Sequence, residues 1–510
     1  MTKPWRSATL AALLVVLCAC GSPAPPAADP TLRVALNYAP TTVDPHTVSS
    51  PAAAITYLGP LYDRLTQIGP DLQVQPMLAT AWTFAPDGRS ADFTLRADAT
   101  FASGAPVDAA AVAASLDRAL TVPGSTARAG LSMIEGVEVV DPATVRVRTT
   151  RPAADLPYAL AGVEWSVIDP AARERPDLDR VPAGSGPYTL GSLVADDRIV
   201  LHRREGYWDP AAQQVAHLEI VGVANDSTRM NGLRSDEFDL MMTTAGQFDE
   251  VDALGSGFTT HSYPPASTYT VFLNTARPHL SDPRVRQALN FAVDRASIDA
   301  FLLDGRCAPA SQPLVAVYPG HLEPPPVAYG HDPARARALL AEAGVPEGTE
   351  LRLLVPAGLS LYERIGAAVQ AQFAEVGIRA VLEQQASAQI FASWTGGGYD
   401  GFVNVRTTRP TDAMTLQASY LNPNRYPGPT PAGFAESVVR AFDPGLDEAA
   451  RLGAVREAST VGAVGALDVF LCSTPAMWTA HDRVRGADTM GASYYTAFGD
   501  LRGVGLSGDE

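Results

Sequence analysis

Short strands and capped helices alternate along almost the whole chain. Residues 31–37 alternate apolar and polar side chains, which predicts a strand, and residues 361–376 predict a helix that leads into a strand over 378–382. Asp282-Pro283 and Asp332-Pro333 each supply an N-cap and a first-turn proline, so each predicts a helix start. This alternation predicts α/β layers, and 510 residues are enough for more than one lobe.

Other segments fit the same pattern. Apolar residues three or four positions apart predict a helix over 52–65, and Asp108 caps a helix predicted over 109–120. The segments 82–96 and 134–150 each predict two short strands around a turn.

Positive charge is scarce and comes almost entirely from arginine. The chain has 55 acidic and 38 basic residues, a formal net charge of −17, and Lys3 is its single lysine. A phosphate-binding P-loop, a Schiff-base enzyme and a protein kinase each need a lysine within the folded body. The acidic balance, with no basic block, also excludes nucleic acid as an expected partner.

No catalytic set is evident in the sequence. Residues 183–187 (AGSGP) lack the first glycine of a nucleophile elbow, and none of the 8 histidines falls in an H-E-x-x-H pattern. We therefore expect a protein that is not an enzyme and that carries no cofactor and no metal site.

The N-terminus predicts a secretion signal. Lys3 and Arg6 precede an apolar run, residues 8–19, which is shorter than the ~20 residues of a membrane span. The run ends in Leu17-Cys18-Ala19-Cys20, which resembles a bacterial lipobox, and an ordinary signal peptide cut at an A-x-A site is the alternative. We predict a signal peptide over 1–19, lipidation of Cys20, and over 20–30 a proline-rich tether to the cell membrane.

Two further cysteines, Cys307 and Cys472, lie in the body of the chain. In an oxidising compartment they form either a disulfide or two buried thiols, and we expect the disulfide. A bond between them would close a large loop and stabilise the fold by about 4 kcal/mol.

Several short motifs identify a family. In chain order they are Val43-Asp44-Pro45-His46, residues 78–82 (LATAW) with Pro86-Asp87-Gly88, residues 101–106 (FASGAP), residues 184–188 (GSGPY), Gly206-Tyr207-Trp208, residues 282–290 (DPRVRQALN) and Gly398-Tyr399-Asp400. Together they resemble the bacterial extracellular solute-binding proteins of family 5, the oligopeptide-, dipeptide- and nickel-binding proteins of ABC importers.

The resemblance implies a two-lobed, periplasmic-binding-protein-like α/β fold of class II type, with an extra domain inserted in lobe I. Carried onto this chain, lobe I comprises 31–66, 182–305 and 490–510, the inserted domain 67–181, and lobe II 306–489. Residues 184–188 would form a turn in which the glycines accept positive φ.

The resemblance also implies a function. A monomer would capture a peptide or peptide-like solute by hinge closure and deliver it to the permease subunits of an ABC importer. A non-peptide anionic solute or a metal chelate bound by the same fold is the alternative, and a surface lipoprotein without transport is a second one.

The ligand contacts are predicted from one loop. Peptide-binding members place an aspartate after the Tyr-Asp strand, where it pairs with the α-amino group of the peptide. Here the nearest residue is Arg409, and Asp412 takes that place only if the loop shifts by about one turn. Our hypothesis is that Arg406 or Arg409 faces the cleft and binds a carboxylate, phosphate or other acceptor-rich group. Pairing of these arginines with surface acids such as Asp412 is the alternative.

Aromatic residues are candidates for the cleft wall. They are Tyr38, Trp165, Trp394, Tyr494 and Tyr495. Packing in a core is the alternative for each of them.

Overall fold

The computed structural model describes residues 30–127, 133–423, 425–492 and 498–507, together with Met1. Its α-helices in these ranges are α1 (Pro51–Leu58), α2 (Ala109–Thr121), α3 (Leu156–Ala159), α4 (Asp226–Arg234), α5 (Phe248–Asp252), α6 (Pro283–Ala292), α7 (Arg295–Leu302), α8 (Pro333–Glu342), α9 (Ser360–Glu375), α10 (Ser387–Thr395), α11 (Asp412–Leu416), α12 (Phe434–Arg440) and α13 (Glu448–Val464).

The strands of the same ranges are β1 (Thr31–Leu36), β2 (Thr66–Ile68), β3 (Val74–Pro76), β4 (Ala79–Phe84), β5 (Ser90–Leu95), β6 (Ile134–Asp141), β7 (Thr144–Thr149), β8 (Tyr188–Val194), β9 (Arg198–Arg203), β10 (His217–Gly222), β11 (Leu240–Thr243), β12 (Phe258–Leu273), β13 (Ala308–Pro309), β14 (Thr349–Pro356), β15 (Ile378–Gln385), β16 (Gly401–Thr407), β17 (Asp468–His481), β18 (Val484–Arg485), β19 (Gly491–Ala492), β20 (Gly499–Asp500) and β21 (Gly505–Leu506).

One mixed sheet runs through both lobes. Its strand order is β15-β14-β16-β12-β17-β11-β1-β10-β9-β8, and β13 pairs with β17 at one side. β1 is parallel to β10 and β11, and β14 is parallel to β15 and β16. A separate antiparallel sheet, β4-β5-β7-β6, forms the inserted domain with α2 packed against it. The predicted α/β layers are therefore present.

Two long strands, β12 and β17, carry the chain between the lobes. In the first lobe residues 258–263 pair with 476–481, and in the second lobe residues 267–272 pair with 468–474. Between these two stretches the register shifts around Pro265 and Pro475. A proline offers no N–H to the ladder, and a register shift weakens it further, so the sheet is weakest where the lobes meet.

The cores show which segments belong to each lobe. Leu289 of α6 and Ile298 of α7 share a core with Leu353 and Ile378 of the second lobe, whereas Trp478 packs into the first-lobe core. The predicted lobe boundaries at 305 and 489 therefore differ from the structure. The reason is that the chain crosses at β12, before α6, and returns within β17.

The motif over 282–290 is a scaffold for this return. Asp282 caps α6 by accepting a hydrogen bond from the Arg284 N–H at 2.8 Å. Arg286 donates from Nε to the Gly465 carbonyl, at the end of α13, at 2.8 Å. Asn290 donates to the Asp468 carbonyl at 2.8 Å. Buried side chains thus satisfy the backbone groups where α13 leads into β17.

α1 is shorter than predicted and ends at Leu58, because Gly59-Pro60 cannot continue the helix. The Pro60 carbonyl instead accepts a hydrogen bond from the Tyr188 N–H at 2.9 Å. A Cβ on Gly184 would lie 2.1 Å from the Leu61 carbonyl oxygen. Neither Gly184 nor Gly186 has positive φ, so this turn needs glycine for close backbone approach and not, as we predicted, for its dihedral angles.

Across the described residues, we find no helix with the length and apolar character needed to cross a bilayer.

Candidate functional site

A cavity lies beside the first-lobe halves of the crossing strands. Its volume is about 20 Å³, and its walls include Leu72, Tyr263, Trp478, Met490 and Phe498. Small-molecule sites commonly occupy ~300–1,000 Å³, whereas a cavity of this size holds about one water molecule. The cavity is therefore a small apolar gap next to the crossing strands and is too small by itself for a solute.

Buried charges begin at the cavity wall. Gly499 lines the cavity, and the next residue, Asp500, binds Nη2 of Arg64 at 2.9 Å. A second pair, Arg502–Asp63, lies beside it at 3.0 Å. Arg64 is 1% exposed, and its Nε and Nη1 have no hydrogen-bond partner among the described residues.

A 3₁₀ turn, Val163–Trp165, places Glu164 near Arg64. Glu164 is 5% exposed. Burial raises the pKa of its carboxyl group, while the charges of Arg409 and Arg64 act to lower it. Because Arg409 belongs to the second lobe, its charge acts on Glu164 across the lobe boundary.

His46 contacts the residue that follows this turn. Its Nδ1 lies 2.8 Å from Nη1 of Arg118, and its Nε2 lies 2.9 Å from the Ser166 carbonyl. A guanidinium can only donate, so Nδ1 accepts and Nε2 carries the hydrogen that Ser166 receives. Burial and the neighbouring Arg118 lower the pKa of His46 to about 4, and Asp44 acts against this shift. The imidazole is therefore neutral at pH 7.

Arg409 follows β16 and is 8% exposed. Its backbone N–H donates to Thr415 Oγ1 at 2.9 Å, and the Tyr318 hydroxyl donates to its carbonyl. Both ends of its peptide unit are thus held by neighbouring elements. The positive charge of its guanidinium acts on Glu164 of the facing domain.

Arg406 is engaged within its own lobe. Its Nη2 lies 3.4 Å from Oδ2 of Asp468, and its Nη1 donates to the Tyr420 hydroxyl. Tyr420 in turn donates to Asp468 at 2.8 Å. Arg406 is 4% exposed and Asp468 is fully buried. Of the two arginines in our hypothesis, Arg409 is the one whose charge acts on Glu164. The acid that pairs with Arg406 is the buried Asp468 and not Asp412.

Asp412 begins α11 and serves the backbone. Its Oδ2 accepts a hydrogen bond from the Gly320 N–H at 3.1 Å, and its Oδ1 accepts one from the Ala413 N–H at 2.8 Å. Burial raises the pKa of this carboxyl group. These contacts hold the loop that carries Arg409.

The aromatic candidates fall into different places. Trp165 is fully buried in the core of the inserted domain, and its Nε1 has no hydrogen-bond partner within the described ranges. Trp394 is fully buried against Phe402 and donates from Nε1 to the Arg425 carbonyl at 2.8 Å, so we find it in a second-lobe core and not at a cleft wall.

Tyr38 does not line the cavity itself but packs against Phe498, which does. Its hydroxyl donates to the Ala53 carbonyl at 2.7 Å, and its ring meets Phe498 edge to face at 5.6 Å between centroids. Tyr494, Tyr495 and the lipidation residue Cys20 lie outside the described residues, although 490–492 and 498–499 contribute to the cavity.

Cys307 and Cys472 form a disulfide bond, with an S–S distance of 2.06 Å. Both sulfurs lie in the second-lobe core, where β13 pairs with β17. The bond therefore ties two segments of the same lobe, three residues before Pro475.

The inserted domain also contacts the second lobe directly. The Ala154 N–H donates to the Phe442 carbonyl at 3.1 Å, and the Arg151 guanidinium lies 4.8 Å from the Phe442 ring centroid. Arg151 Nη2 also lies 3.5 Å from Oε1 of Gln417. Tyr158 packs against clusters of both lobes. We call the Arg151, Ala154 and Phe442 contacts the interlobe latch.

Sequence reasoning missed Arg64, Glu164 and Asp500. Glu164 had a usable signal, since it is the single charged residue of the apolar stretch 156–167. Arg64 and Asp500 are 436 positions apart, so no sequence pattern indicates that they pair. No group of three or more His, Cys, Asp or Glu side chains suited to a metal ion occurs in the part of the chain that the structure covers.

Comparisons with known proteins identify the family of this chain. The family model of bacterial extracellular solute-binding proteins, family 5 (middle), matches residues 73–428. The glutathione-binding protein GsiB of Salmonella paratyphi A is 29% identical over 412 residues, which cover 78% of this chain and 77% of that protein.

Solved structures match the fold. AgaA of A. tumefacien R10, in complex with agropinic acid, superposes with a TM-score of 0.80 at 24% identity and covers 94% of this chain and 99% of its own. The ABC transporter-associated periplasmic binding protein DppA of Helicobacter pylori, in complex with the peptide STSA, has a TM-score of 0.79 at 21% identity over 94% of this chain and 98% of its own. The two-lobed α/β fold is thereby confirmed. The chain belongs to family 5 of the bacterial extracellular solute-binding proteins.

Proposed function

We propose that this protein is the solute-binding lipoprotein of an ABC importer and that it captures a peptide or peptide-like solute between its two lobes. The observation that carries this proposal is the pair of crossing strands with a broken ladder, next to buried charges from both lobes. A connection of two strands lets the lobes rotate about the break at Pro265 and Pro475.

Closure supplies the binding energy. When the lobes meet, water leaves the space between Glu164 and Arg409, and each polar contact with the ligand becomes stronger in the lower dielectric. The latch contacts of Arg151 and Ala154 with Phe442 add a ligand-independent part to the closed state. The free energy of ligand binding is therefore the sum of the contribution of the ligand contacts and that of lobe closure.

The proposed ligand carries an acidic group. Arg409 is its proposed partner, because the charge of Arg409 acts on Glu164 across the lobe boundary. We propose the Arg409→Gln variant as the test, with glutathione and dipeptides as probes in calorimetry. It should bind acidic probes at least tenfold more weakly than the wild type. Equal affinities would remove Arg409 from the site.

The membrane anchor is a separate part of the proposal. We propose that the signal 1–19 is removed and that Cys20 receives the lipid, so that the protein acts as a monomer outside the cytoplasm on a tether. Support comes from the apolar run 8–19 and the lipobox-like end of that run. Mass spectrometry of the mature N-terminus should find a lipidated Cys20, and the Cys20→Ala variant should be released from membranes. An unmodified Cys20 would contradict the anchor.

Small-angle scattering tests the transport role directly. The purified protein should become more compact when its ligand is added, because the lobes close. The absence of compaction with glutathione, with dipeptides and with a pooled metabolite extract would contradict solute capture.

A further inference from the structure

A group of buried polar side chains with incomplete hydrogen bonds lies where the first lobe meets its inserted domain. Arg64 Nε and Nη1 and Trp165 Nε1 have no partner in the ranges that the structure describes. Glu164 receives a hydrogen bond from its own backbone N–H, and the charges of Arg409 and Arg64 also act on its carboxyl group. An unsatisfied buried polar group destabilises a fold, and the cost is larger for a charged group. Several such groups at a lobe boundary indicate that a bound solute completes them.

The groups need opposite partners. The N–H groups of Arg64 and Trp165 can only donate, so they require acceptor atoms. The Glu164 carboxylate only accepts, so it requires a cation or a donor. A ligand end with acceptors alone would bring negative charge against Glu164, and one with donors alone would bring positive charge against Arg64. An end with both kinds of group satisfies the site.

The positions of the charges fit such an end group. The Val167 N–H donates to the Asp63 carbonyl at 2.8 Å, so the turn that carries Glu164 lies beside Arg64. Arg64 is held in place through Nη2 by Asp500 at 2.9 Å, and the charge of Arg409 in the second lobe acts on Glu164. At present one attraction, between Glu164 and Arg409, acts between the lobes. A ligand with an ammonium at Glu164 and a carboxylate at the arginines would replace it by two attractions, one at each end of the ligand head. The net charge of the closed site would stay the same, so closure would leave no unpaired charge.

We propose that the ligand bears an α-amino-acid head, an ammonium and a carboxylate on the same carbon, with Glu164 binding the ammonium and Arg64 and Arg409 binding the carboxylate. This rests on the proposed solute-binding function and makes it more specific. An ordinary α-linked peptide separates its ammonium from its α-carboxylate along the chain. The site would therefore prefer side-chain-linked peptides or other derivatives that keep the head intact.

Two isomeric tripeptides test the proposal. S-methylglutathione is γ-linked and keeps the head, whereas the S-methylated α-linked Glu-Cys-Gly has the same mass and formal charge without it. Methylation keeps the probe thiol away from the Cys307–Cys472 bond. We expect calorimetry to show at least tenfold tighter binding of the γ-linked isomer, and at least a tenfold loss on N-acetylation. Equal binding of the isomers or of the N-acetylated form would overturn the proposal.

The Glu164→Gln variant links the preference to the residue. It should lose at least tenfold in affinity for the γ-linked isomer and bind the N-acetylated form within twofold of the wild type. Its melting temperature should be equal to or above that of the wild type, because a buried charge has been removed. The control is Glu138→Gln, which changes a half-exposed glutamate of the same domain. Unchanged selectivity in Glu164→Gln would refute the assignment.

Native mass spectrometry separates this inference from the function on which it rests. If the wild type binds neither isomer, the solute that it retains from its host decides. A retained solute with an α-amino-acid head supports the inference, and one without it overturns the inference but keeps solute binding. A protein that retains no solute and binds no probe contradicts both.

Discussion

The buried pair Arg406–Asp468 gives the sharpest test of the second lobe. The perturbation is Arg406→Met, which keeps the aliphatic part of the side chain and removes its charge. Asp468 is fully buried, and after the change its carboxylate loses its cationic partner and keeps the hydroxyls of Tyr420, at 2.8 Å, and of Thr270. Losing one partner of a buried ion pair typically costs ~3–5 kcal/mol.

An independent estimate gives the same range. The protein can avoid a buried carboxylate by protonating Asp468, whose ordinary pKa is 3.8. Protonation at pH 7 costs about 4 kcal/mol, at 1.36 kcal/mol per pKa unit. We expect the midpoint of thermal unfolding of the second lobe to fall by roughly 8–16 °C, at ~2–4 °C per kcal/mol for a lobe of this size.

Scanning calorimetry with the disulfide intact measures this shift. The Arg406→Met, Asp468→Asn double variant should recover most of the loss, because the unpaired charge is gone. The matched control is Arg440→Met, which breaks an ion pair whose side chains are both 53% exposed and should change stability by less than ~0.5 kcal/mol. A loss below ~1 kcal/mol in Arg406→Met, or no recovery in the double variant, would refute the reasoning.

Three further predictions concern other parts of the molecule. Because the pKa of His46 is about 4 in the folded state and ~6.5 in the unfolded chain, the unfolded chain binds more protons between these values. The free energy of unfolding should therefore fall by up to ~3 kcal/mol as the pH drops through that window. In urea unfolding, the His46→Gln variant should lack this loss, and an equal pH dependence of the variant and the wild type would contradict the prediction. Arg151→Ala removes the latch contact with Phe442 and should weaken ligand affinity about threefold to fivefold by calorimetry. The control Arg148→Ala, in β7 of the inserted domain, should leave the affinity unchanged. Equal affinities of Arg151→Ala and the wild type would show that the latch adds nothing to closure. The Cys307→Ser, Cys472→Ser variant should unfold with about 4 kcal/mol less stability but keep its ligand affinity, since both sulfurs lie in the second-lobe core; a loss of affinity would refute that separation.

The sequence predicted local structure where local physics decides it. The predicted helices after Asp108, Asp282 and Asp332 begin where the side chain of each caps the backbone. The hinge was harder to place, because β12 and β17 each continue as one strand across the lobe boundary. No change in periodicity marks the register shift at Pro265 and Pro475.

The candidate site shows the same difference between what local sequence predicts and what depends on distant contacts. Arg409 could be singled out from a loop motif, and its charge does act on the facing lobe. Arg64 could not, because its role depends on burial and on Asp500, a partner that is distant in sequence. Arg406 looked equivalent to Arg409 in the sequence, and only the packing of Asp468 against it distinguishes the two.

Native mass spectrometry of the protein isolated from its own host, without unfolding, tests the central claim most directly. The account predicts one small organic solute bound per chain, released when the protein is unfolded and absent from the Arg409→Gln variant. The bare chain mass in the wild type, with no solute taken up from a host extract, would contradict solute capture between the lobes.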